Sequence, residues 1–460
     1  MKTGRFGRSA PVVSVGTRTA LRRAGVAILP GTRTQREARR RAFHARTAQN
    51  YAELLGGMKG ALMKVGQIMS FVQVASLVPE EYQDLYASAL GALQSDAPPM
   101  DFATVRGVVE AEFGTPLEDV FDRFSETPIA AASIGQVHAA RIGDRELAVK
   151  VQYPGVADAI AADLDNTDML AGLMGMGSKM MPGLSTNIDF RVVAEEIRDR
   201  IVEELDYERE ARSQEEFRAV FAGHPFIRVP AVDLALTTER VLVQEMVDGR
   251  RFQAACESPQ ELRDQWGEAI LRFVYGSIHR DRLFNADPHP GNYLFHEDGS
   301  VTFLDFGCVK AFTVEQEQVF RRLVRAVLDG DGAAVVSGLV ALGSFPPDDV
   351  PDAERLLAWY QPAFASLIEP QPFTYTEEWA ASEVARQYDP FNEWKDVSQK
   401  FSIAQDMVFL SRITIGLNSV LGKLQTTCHA RGLLDELFDD AEPVSDMGRL
   451  EAQWMQARHA

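Results

Sequence analysis

Apolar residues recur three or four positions apart in the N-terminal part of the chain, a spacing that places them on one face of a helix. The pattern predicts an ordered helix from about residue 49, within a helical extension over residues 48–127. Gly66 lies inside this helix, where glycine costs about 1 kcal/mol relative to alanine, so it indicates a kink or a close approach to another element. The apolar positions are Leu54, Leu55, Met58, Leu62, Val65, Ile68, Met69 and Val72.

Short runs of strand-forming residues bounded by turns then predict strands within a lobe over residues 128–247. Gly135–Ile142 and Glu146–Gln152 are separated by a glycine-containing turn and predict a β-hairpin. A further strand over Val241–Met246 precedes residues 247–249, whose composition suits a hinge between two lobes.

Helical spacing dominates the remainder of the chain. We predict one long acidic helix over Ile188–Phe217 and another over Glu261–His279. Thr313–Gln316 has the sequence of a capping box, which predicts a helix start. These elements belong to a second, mainly helical lobe over residues 248–435, and a tail follows over residues 436–460.

Charge is distributed unevenly along the 460 residues, whose net charge is −19. The first 50 residues carry twelve Lys or Arg against one acid, Glu37, so residues 51–460 carry −30. A body this acidic is a poor nucleic-acid binder, because such binding requires neutralisation of phosphates. The basic arm, residues 1–47, suits an anionic membrane surface; the alternative is a flexible, solvated arm.

Cysteine usage and hydropathy bear on location. Cys256, Cys308 and Cys428 are far apart and lack metal-binding spacing, which favours a reducing compartment. The sequence has neither an apolar run of about eighteen residues nor the apolar core of a signal peptide. We expect a cytoplasmic protein, peripheral at the inner face of the membrane if it binds there. The alternative is the mitochondrial matrix, because an arginine-rich, acid-poor arm also suits an organellar transit peptide.

Two acids and an amide follow one another at a characteristic spacing. Asp287 precedes Asn292 by five residues and Asp305 follows Asp287 by eighteen. A kinase catalytic loop needs an Asp to orient or deprotonate the attacking hydroxyl, an Asn on one Mg²⁺ and a later Asp that bridges metal and phosphates. Carboxylate and amide oxygens also suit Mg²⁺. We therefore predict Asp287 as catalytic and Asn292 and Asp305 as metal ligands.

A lysine strand and a loop rich in alanine precede this stretch. Lys150 ends a Val-Ala-Ile-Lys-like strand, and such a lysine pairs with the nucleotide phosphates and with a helix Glu, so we predict it as catalytic as well. The loop has alanine at two of the three glycine positions of G-x-G-x-x-G-x-V, and alanine lacks free access to positive φ. We expect a stiffer loop that holds the phosphates of ATP differently. The predicted nucleotide-binding residues are Ala130, Ala131, Ala132, Ser133, Ile134, Gly135, Val137, Lys150, Glu245 and Met246.

Together these residues resemble the ABC1/UbiB/AarF family of atypical kinases over about residues 50–312, with a weaker helical match to about residue 435. Three features are absent from ordinary kinases: Lys64–Gln67 as the KxGQ motif, Ala130–Val137 as the alanine-rich loop and Glu204–Asp206 as the ExD motif. The resemblance implies an α+β, bilobal protein-kinase-like fold with an N-terminal KxGQ helical extension and a helical C-terminal tail.

In that family the KxGQ helix folds over the active site, where a peptide substrate would sit. The resemblance implies that Gln67, Lys150 and Glu210 form an inhibitory polar triad, and that Lys64, Gly66, Glu204 and Asp206 are regulatory residues. His289 stands where protein kinases commonly have a Lys, which argues against ordinary phosphotransfer.

The family is tied to quinone and other isoprenoid lipids and hydrolyses ATP more readily than it phosphorylates proteins. We expect a kinase or ATPase that uses ATP and Mg²⁺ and acts on, or in support of the metabolism of, a small molecule or lipid. The alternative is a nucleotide-gated scaffold or chaperone for lipid-biosynthesis enzymes. A conventional protein kinase is disfavoured, because no Ala-Pro-Glu or activation segment follows Gly307.

Overall fold

The computed structural model describes residues 100–132, 134–156, 205–285, 288–388, 393–398, 400–401 and 405–459. Several predicted features lie outside these ranges: the basic arm, most of the N-terminal extension, Lys64, Gly66, Gln67, Ser133, Glu204 and Asp287.

In chain order, the helices and strands are α1 (Phe102–Phe113), α2 (Leu117–Val120), β1 (Arg123–Ala131), β2 (Gly135–Ile142), β3 (Arg145–Gln152), α3 (Tyr207–Val220), β4 (Ile227–Arg228), β5 (Val241–Glu245), α4 (Phe252–Cys256), α5 (Gln260–Gly276), β6 (Leu283–Asn285), β7 (Tyr293–Phe295), β8 (Val301–Phe303), β9 (Val309–Ala311), α6 (Val314–Asp329), α7 (Gly332–Ala341), α8 (Ala353–Tyr360), α9 (Ala365–Ile368), β10 (Phe373–Thr374), α10 (Glu377–Tyr388), α11 (Lys395–Ser398), α12 (Gln405–Leu424), β11 (Thr427–Cys428), α13 (Ala430–Asp439) and α14 (Asp446–His459). A π-helical turn, Ser277–Asp281, follows α5, and a 3₁₀ turn, Pro290–Asn292, precedes β7.

A four-stranded antiparallel sheet in the order β1-β2-β3-β5 forms the first lobe. The predicted hairpin is confirmed as β2 and β3, and Gly143 in its turn has φ 58°, which glycine adopts without strain. Strand β1 was not predicted. Its pairing with β2 shifts register on both sides of Pro128, and it lacks the clean alternation of buried and exposed positions that identifies a strand.

Helix α1 covers one face of this sheet. Asp101 caps it, since its side chain accepts a hydrogen bond from the Thr104 N–H at 2.9 Å. Val105 and Val109 are fully buried and join a core cluster with Val149 and Val151 of β3. The last stretch of the region predicted as an N-terminal extension therefore packs directly on the lysine strand.

Within its described part, the predicted helix over Ile188–Phe217 is confirmed from Tyr207 onward as α3, but it is wrong at residues 205 and 206, which are not helical. Asp206 is extended, with φ −107° and ψ 92°, and its side chain accepts a hydrogen bond from the Arg209 N–H at 2.9 Å. This N-cap starts a new helix, so the backbone cannot continue a helix through residue 206. Residues 188–204 lie outside the described ranges.

The second lobe is built on α5 and three small sheets, one of which is the antiparallel pair β10–β11. Strand β8 pairs in parallel with β4 and antiparallel with β7, while β6 pairs with β9. The rings of Phe273 on α5 and Phe303 on β8 stack with centroids 3.7 Å apart within the main core cluster. The predicted capping box is confirmed at the start of α6. The Gln316 N–H donates to the Thr313 side-chain oxygen, and the Thr313 N–H donates to the Gln316 side-chain oxygen.

The C-terminal residues are packed into this lobe. The domain boundary predicted between residues 435 and 436 falls inside α13, and Trp454 on α14 joins the main core cluster. The Trp454 indole N–H donates to the carbonyl oxygen of Ala222 at 2.9 Å, just after α3. Among the helices that the structure describes, none is long and apolar enough to cross a membrane.

Candidate functional site

Lys150 lies where the first lobe faces the second. It belongs to the interior strand β3, opposite Val137 of β2 and Leu242 of β5. Its Nζ donates to both carboxylate oxygens of Glu210 at 2.9 Å, and it lies 3.9 Å from Oδ2 of Asp305. The structure thus brings together three residues that the sequence predicted for one site.

The Lys150 side chain keeps its charge in this position. Burial by itself lowers the pKa of an ammonium, but the carboxylates of Glu210 and then Asp305 outweigh burial and hold the pKa of Lys150 well above its usual range. The ammonium also lies 4.8 Å from the centroid of the Tyr207 ring. A permanent cation at this point can attract an anionic group such as a phosphate.

The start of α3 determines where Glu210 lies. Glu210 follows Tyr207 by three residues, so both lie on the same face of the helix, toward Lys150. Gln152 Nε2 donates to the carbonyl oxygens of Leu205 at 2.7 Å and Glu239 at 3.1 Å, which ties the residue before the cap to β3. Tyr207 and Gln152 were missed in the sequence, although Tyr207 directly follows Asp206 and Gln152 is on the same strand as Lys150. The regulatory role of Asp206 stays a prediction; in the fold it is the helix cap.

Asp305 follows the end of β8 and is held on both sides. Its Oδ1 accepts from the Gly307 N–H at 3.0 Å, and its backbone oxygen accepts a hydrogen bond from Nδ2 of Asn285. The intervening Phe306 is fully buried and packs on Phe217 of α3, with ring centroids 5.0 Å apart. The carboxylate is therefore fixed between α3 and β6 while its side chain remains 34% exposed.

Asn292 is adjacent to Asp305 through the β7–β8 pair. The Leu304 N–H donates to the Asn292 carbonyl oxygen at 3.0 Å. Asn292, just before β7, and Asp305, just after Leu304, therefore lie at the same end of the antiparallel β7–β8 pair. A carboxylate and an amide are a donor set that suits Mg²⁺. The residues present therefore fit a magnesium site, and the metal-binding roles of Asn292 and Asp305 stay predictions.

Helix α12 contacts the loop that contains the predicted catalytic Asp287. Asp287 itself lies outside the described residues, but a Cβ on Gly416 of α12 would be 2.5 Å from Cγ of the neighbouring Pro288. Only a residue without a side chain allows this approach. Sequence reasoning missed Gly416, because a glycine inside a helix says nothing about which distant segment it meets.

The alanine loop is the tight connection between β1 and β2. Ala130 and Ala131 pair with Val137 and Gln136, and the Ala132 N–H donates to the Gly135 carbonyl oxygen at 2.9 Å. A Cβ on Gly135 would lie 2.2 Å from the Val151 carbonyl oxygen, so packing against β3 by itself requires glycine there.

Three other residues predicted to bind nucleotide have backbone or side-chain groups engaged within the protein. Ile134 is buried, and its carbonyl oxygen accepts from the Tyr153 N–H. Glu245 ends β5, and its N–H donates to the carbonyl oxygen of Ala231. The Met246 N–H donates to the Glu146 carbonyl oxygen at 3.0 Å, so this N–H is already paired within the sheet.

The chain contains a His-Arg-Asp tripeptide that resembles the kinase catalytic loop but lies elsewhere. His279, Arg280 and Asp281 form part of the π-helical turn after α5. His279 is buried, and its Nδ1 lies 3.0 Å from Oε1 of Glu317. The guanidinium of Arg280 donates to Oε1 of Glu451 at 3.0 Å. These contacts are with α6 and α14, so the tripeptide joins helices of the second lobe.

The chain is similar to known proteins over most of the described fold. A model of the ABC1 atypical kinase-like domain matches residues 92–339. Atypical kinase COQ8B, a mitochondrial protein of Rattus norvegicus, is 33% identical over 305 residues, which are 66% of this chain and 56% of the relative. Protein ACTIVITY OF BC1 COMPLEX KINASE 8, a chloroplastic protein of Arabidopsis thaliana, is 30% identical over 348 residues, 74% of this chain and 44% of the relative.

The curated relatives are longer proteins, and this chain covers about half of their length. Among solved structures, the complex of Rv3197 with erythromycin from Mycobacterium tuberculosis is similar, with a TM-score of 0.59 and 28% sequence identity. That match covers 84% of this chain and 93% of the other. The kinase-like, bilobal α+β fold expected from the sequence is thereby confirmed.

Proposed function

The chain belongs to the ABC1 atypical kinase-like family, and from this premise we propose that it binds ATP with Mg²⁺ and acts as a phosphotransferase or ATPase directed at a small molecule or lipid. The contact of Lys150 with Glu210 and Asp305 carries the proposal. A charged lysine on an interior strand, bonded to a helix glutamate and close to the acid of an Asp-Phe-Gly sequence, is the arrangement that kinases use around nucleotide phosphates.

Each predicted residue has a chemical task in this proposal. Asp305 and Asn292 would hold Mg²⁺, which supplies neutralisation of the phosphate charge when bound. Lys150 would contact the phosphates, with Glu210 setting its direction. Asp287 would orient the hydroxyl group or water that attacks.

The short segment after Gly307 supports a small acceptor. Only residues 308–312 separate Gly307 from Thr313, the cap of α6, and three of them form β9 against β6. A protein kinase holds its peptide substrate on a longer activation segment at this point. We therefore propose that the acceptor is a small molecule, a lipid or water.

A bulky, largely apolar ligand is the class we propose, for two reasons. The family resemblance implies isoprenoid lipids, and Rv3197, which is similar over 84% of this chain, is in complex with erythromycin. Mitochondrial and chloroplastic relatives suit a lipid-rich setting, and we propose peripheral contact with an anionic membrane surface through the basic arm. Phenolic isoprenoid lipids and erythromycin are the first ligands to test.

A nucleotide-gated scaffold for lipid-biosynthesis enzymes is the second candidate. The observation that favours it is the engagement of Lys150 by Glu210, because a lysine held by a carboxylate has fewer hydrogens left for phosphate. Nucleotide-dependent capture of a partner enzyme that survives Asp287→Asn would favour the scaffold. Magnesium-dependent phosphate release that is stimulated by a phenolic lipid and lost in Asp287→Asn would favour the enzyme.

The Asp305→Asn variant tests the nucleotide site. We expect ATP with Mg²⁺ to raise the melting temperature of the wild type and of Asp348→Asn, a control at an exposed loop residue. Asp305→Asn should lose this magnesium-dependent shift, because the amide removes the charge that binds the metal. A wild-type shift in Asp305→Asn would show that the metal assignment is wrong.

A further inference from the structure

A buried chain of polar groups begins at Gln136, near the C-terminal end of the alanine-rich loop. Gln136 is 1% exposed and His138 is fully buried. Oε1 of Gln136 accepts from the Met100 N–H at 2.9 Å, and its Nε2 donates to the Met100 carbonyl oxygen at 3.3 Å. Nε2 of Gln136 also lies 2.9 Å from Nε2 of His138, whose Nδ1 lies 2.8 Å from the Ser125 carbonyl oxygen. These hydrogen bonds therefore connect Met100, strand β2 and Ser125 of strand β1.

One arrangement of hydrogens satisfies all of these bonds. Because Oε1 of Gln136 faces the Met100 N–H, its Nε2 is the donor toward His138, and Nε2 of His138 must accept. A neutral imidazole that accepts at Nε2 carries its hydrogen at Nδ1, where it donates to the Ser125 carbonyl. Burial lowers the pKa of His138, which agrees with a neutral ring. In a protonated ring, Nε2 of His138 would also carry a hydrogen and would face the donor Nε2 of Gln136 without an acceptor.

The irregular pairing of β1 explains why these side chains are needed. The register of β1 with β2 shifts between Phe124 and Pro128 and again between Pro128 and Ala130. Such shifts leave backbone groups without a ladder partner. His138 supplies the partner for Ser125, and its ring stacks on Phe124 with centroids 5.3 Å apart. The strand that leads into the alanine loop is therefore attached to β2 by a side chain where the ladder is interrupted.

We infer that Gln136 and His138 are positioning residues for the alanine loop, and that they fasten the loop to Met100, the residue before the N-cap of α1. Gln136 pairs with Ala131 of the loop on one side and with Val151, next to Lys150, on the other. A displacement of Met100 is therefore passed by the Gln136 side chain to the backbone of the same residue, which pairs with both the alanine loop and the lysine strand. The effect on nucleotide binding rests on the proposed function, whereas the fastening does not.

Hydrogen exchange of the nucleotide-free protein tests the fastening. Gln136→Met keeps the length of the side chain and removes both polar ends. Gln214→Met is the matched control, because Gln214 is also fully buried and its Nε2 donates to the Pro230 carbonyl and to Gln244. We expect at least tenfold faster exchange in peptides covering residues 100–105 and 130–134 for Gln136→Met and not for Gln214→Met. Equal exchange in the two variants would overturn the inference.

Two variants of His138 separate its positioning role from packing alone. His138→Asn retains an amide N–H in the place of Nδ1 and can still donate to Ser125, whereas His138→Phe retains only the stacking. We expect near wild-type exchange in the β1 peptides for His138→Asn and exchange as fast as in Gln136→Met for His138→Phe. Equally fast exchange in both would mean that the hydrogen bond to Ser125 does not hold the strand.

The affinity for ATP with Mg²⁺ tests the coupling separately. We expect Kd to change at least threefold in Gln136→Met and to stay within twofold of wild type in Gln214→Met. Wild-type protein that fails to bind ATP would defeat the proposed function and leave the exchange result standing. Faster exchange in Gln136→Met with an unchanged Kd would defeat the coupling and leave the proposed function intact.

Discussion

Both carboxylate oxygens of Glu210 lie 2.9 Å from Nζ of Lys150. The pair is well shielded, since the side chain of Glu210 is 3% exposed and that of Lys150 is 16% exposed. Charge-assisted hydrogen bonds are roughly twice as strong as neutral ones, and shielding strengthens them further. Lys150 is thus held on the α3 side of the site, and any phosphate must share its hydrogens with Glu210.

Removing the charge of Glu210 should release Lys150. We expect Glu210→Gln to lower the free energy of unfolding by about 1–3 kcal/mol, because a buried charge loses its main partner. Basal phosphate release or the ratio of ATP to ADP affinity should change at least threefold, since Lys150 is freer to meet phosphate. Glu208→Gln is the control, because Glu208 is exposed on the same helix and pairs only with Arg212 in the described contacts. Unchanged affinities and rates in a folded Glu210→Gln would refute the restraint.

Replacing an alanine of the loop should alter nucleotide binding. Ala132 follows β1 directly, and its N–H already donates to Gly135. Glycine at this position widens the accessible backbone conformations and removes a Cβ that limits approach to phosphate. We expect Ala132→Gly to change ATP affinity or basal turnover, measured beside ADP affinity and autophosphorylation. Ala139→Gly, in the middle of β2, controls for the general cost of glycine in this sheet. A folded Ala132→Gly variant with wild-type nucleotide affinities and turnover would mean that the alanines contribute to packing and not to nucleotide binding.

A methyl group on Gly416 should disturb the loop around Asp287. Its Cβ would lie 2.5 Å from Cγ of Pro288, a distance that forces a shift of the stiff ring. We expect Gly416→Ala to lower kcat for phosphate release at least fivefold while Kd for ATP stays within twofold. Gly107→Ala is the control, because Gly107 is inside α1 and its Cβ would meet no atom within 4 Å. That control should gain up to about 1 kcal/mol of stability. A wild-type kcat for Gly416→Ala would show that the contact does not position the loop.

The buried acid of α14 predicts an acid-sensitive part of the stability. Burial by itself raises the pKa of Glu451, but the contacts with His224, Arg272 and Arg280 outweigh it and lower the pKa to about 2. A carboxyl whose folded pKa is depressed stabilises the fold above its unfolded value of 4.5, and this contribution is lost as the pH falls toward 2. The contribution at neutral pH is on the order of 3 kcal/mol.

The Glu451→Gln variant measures this contribution. Urea unfolding should show a loss on the order of 3 kcal/mol at pH 7 that shrinks as the pH falls from 4.5 toward 2. Glu442→Gln, at an exposed residue near α14, should unfold like the wild type at each pH. A deficit for Glu451→Gln that is the same at pH 7 and pH 3 would assign the effect to packing and not to charge.

The basic arm predicts salt-dependent binding to anionic membranes. Deleting residues 1–47 removes the net positive segment, and each Lys or Arg near an anionic surface contributes about 1 kcal/mol. We expect weaker sedimentation with anionic liposomes for the truncated protein, and weaker sedimentation of the full chain at high salt. Neutral liposomes are the control. Unchanged binding after the deletion would place the membrane-binding surface elsewhere in the chain.

Local patterns in the sequence determined several elements of this protein. Two strand-like runs on either side of a turn glycine were enough for the β2–β3 hairpin, because each strand needs only its neighbour in sequence. The capping box of Thr313 and Gln316 is likewise complete within four residues. The spacing of Asp287, Asn292 and Asp305 and the lysine strand indicated the kinase-like fold, since these residue types at this spacing carry a specific chemistry.

Contacts between distant segments were decided only by the tertiary structure. The acidic run before residue 217 suits a continuous helix, yet Asp206 starts a new one, and Gln152 binds the Leu205 carbonyl from β3. The Met246 N–H donates to the carbonyl oxygen of Glu146, which is a hundred residues earlier in the chain. Gly416 meets Pro288 from a helix that follows it by more than a hundred residues. Periodicity reports which face of an element is buried, but which segment covers that face depends on how the lobes pack.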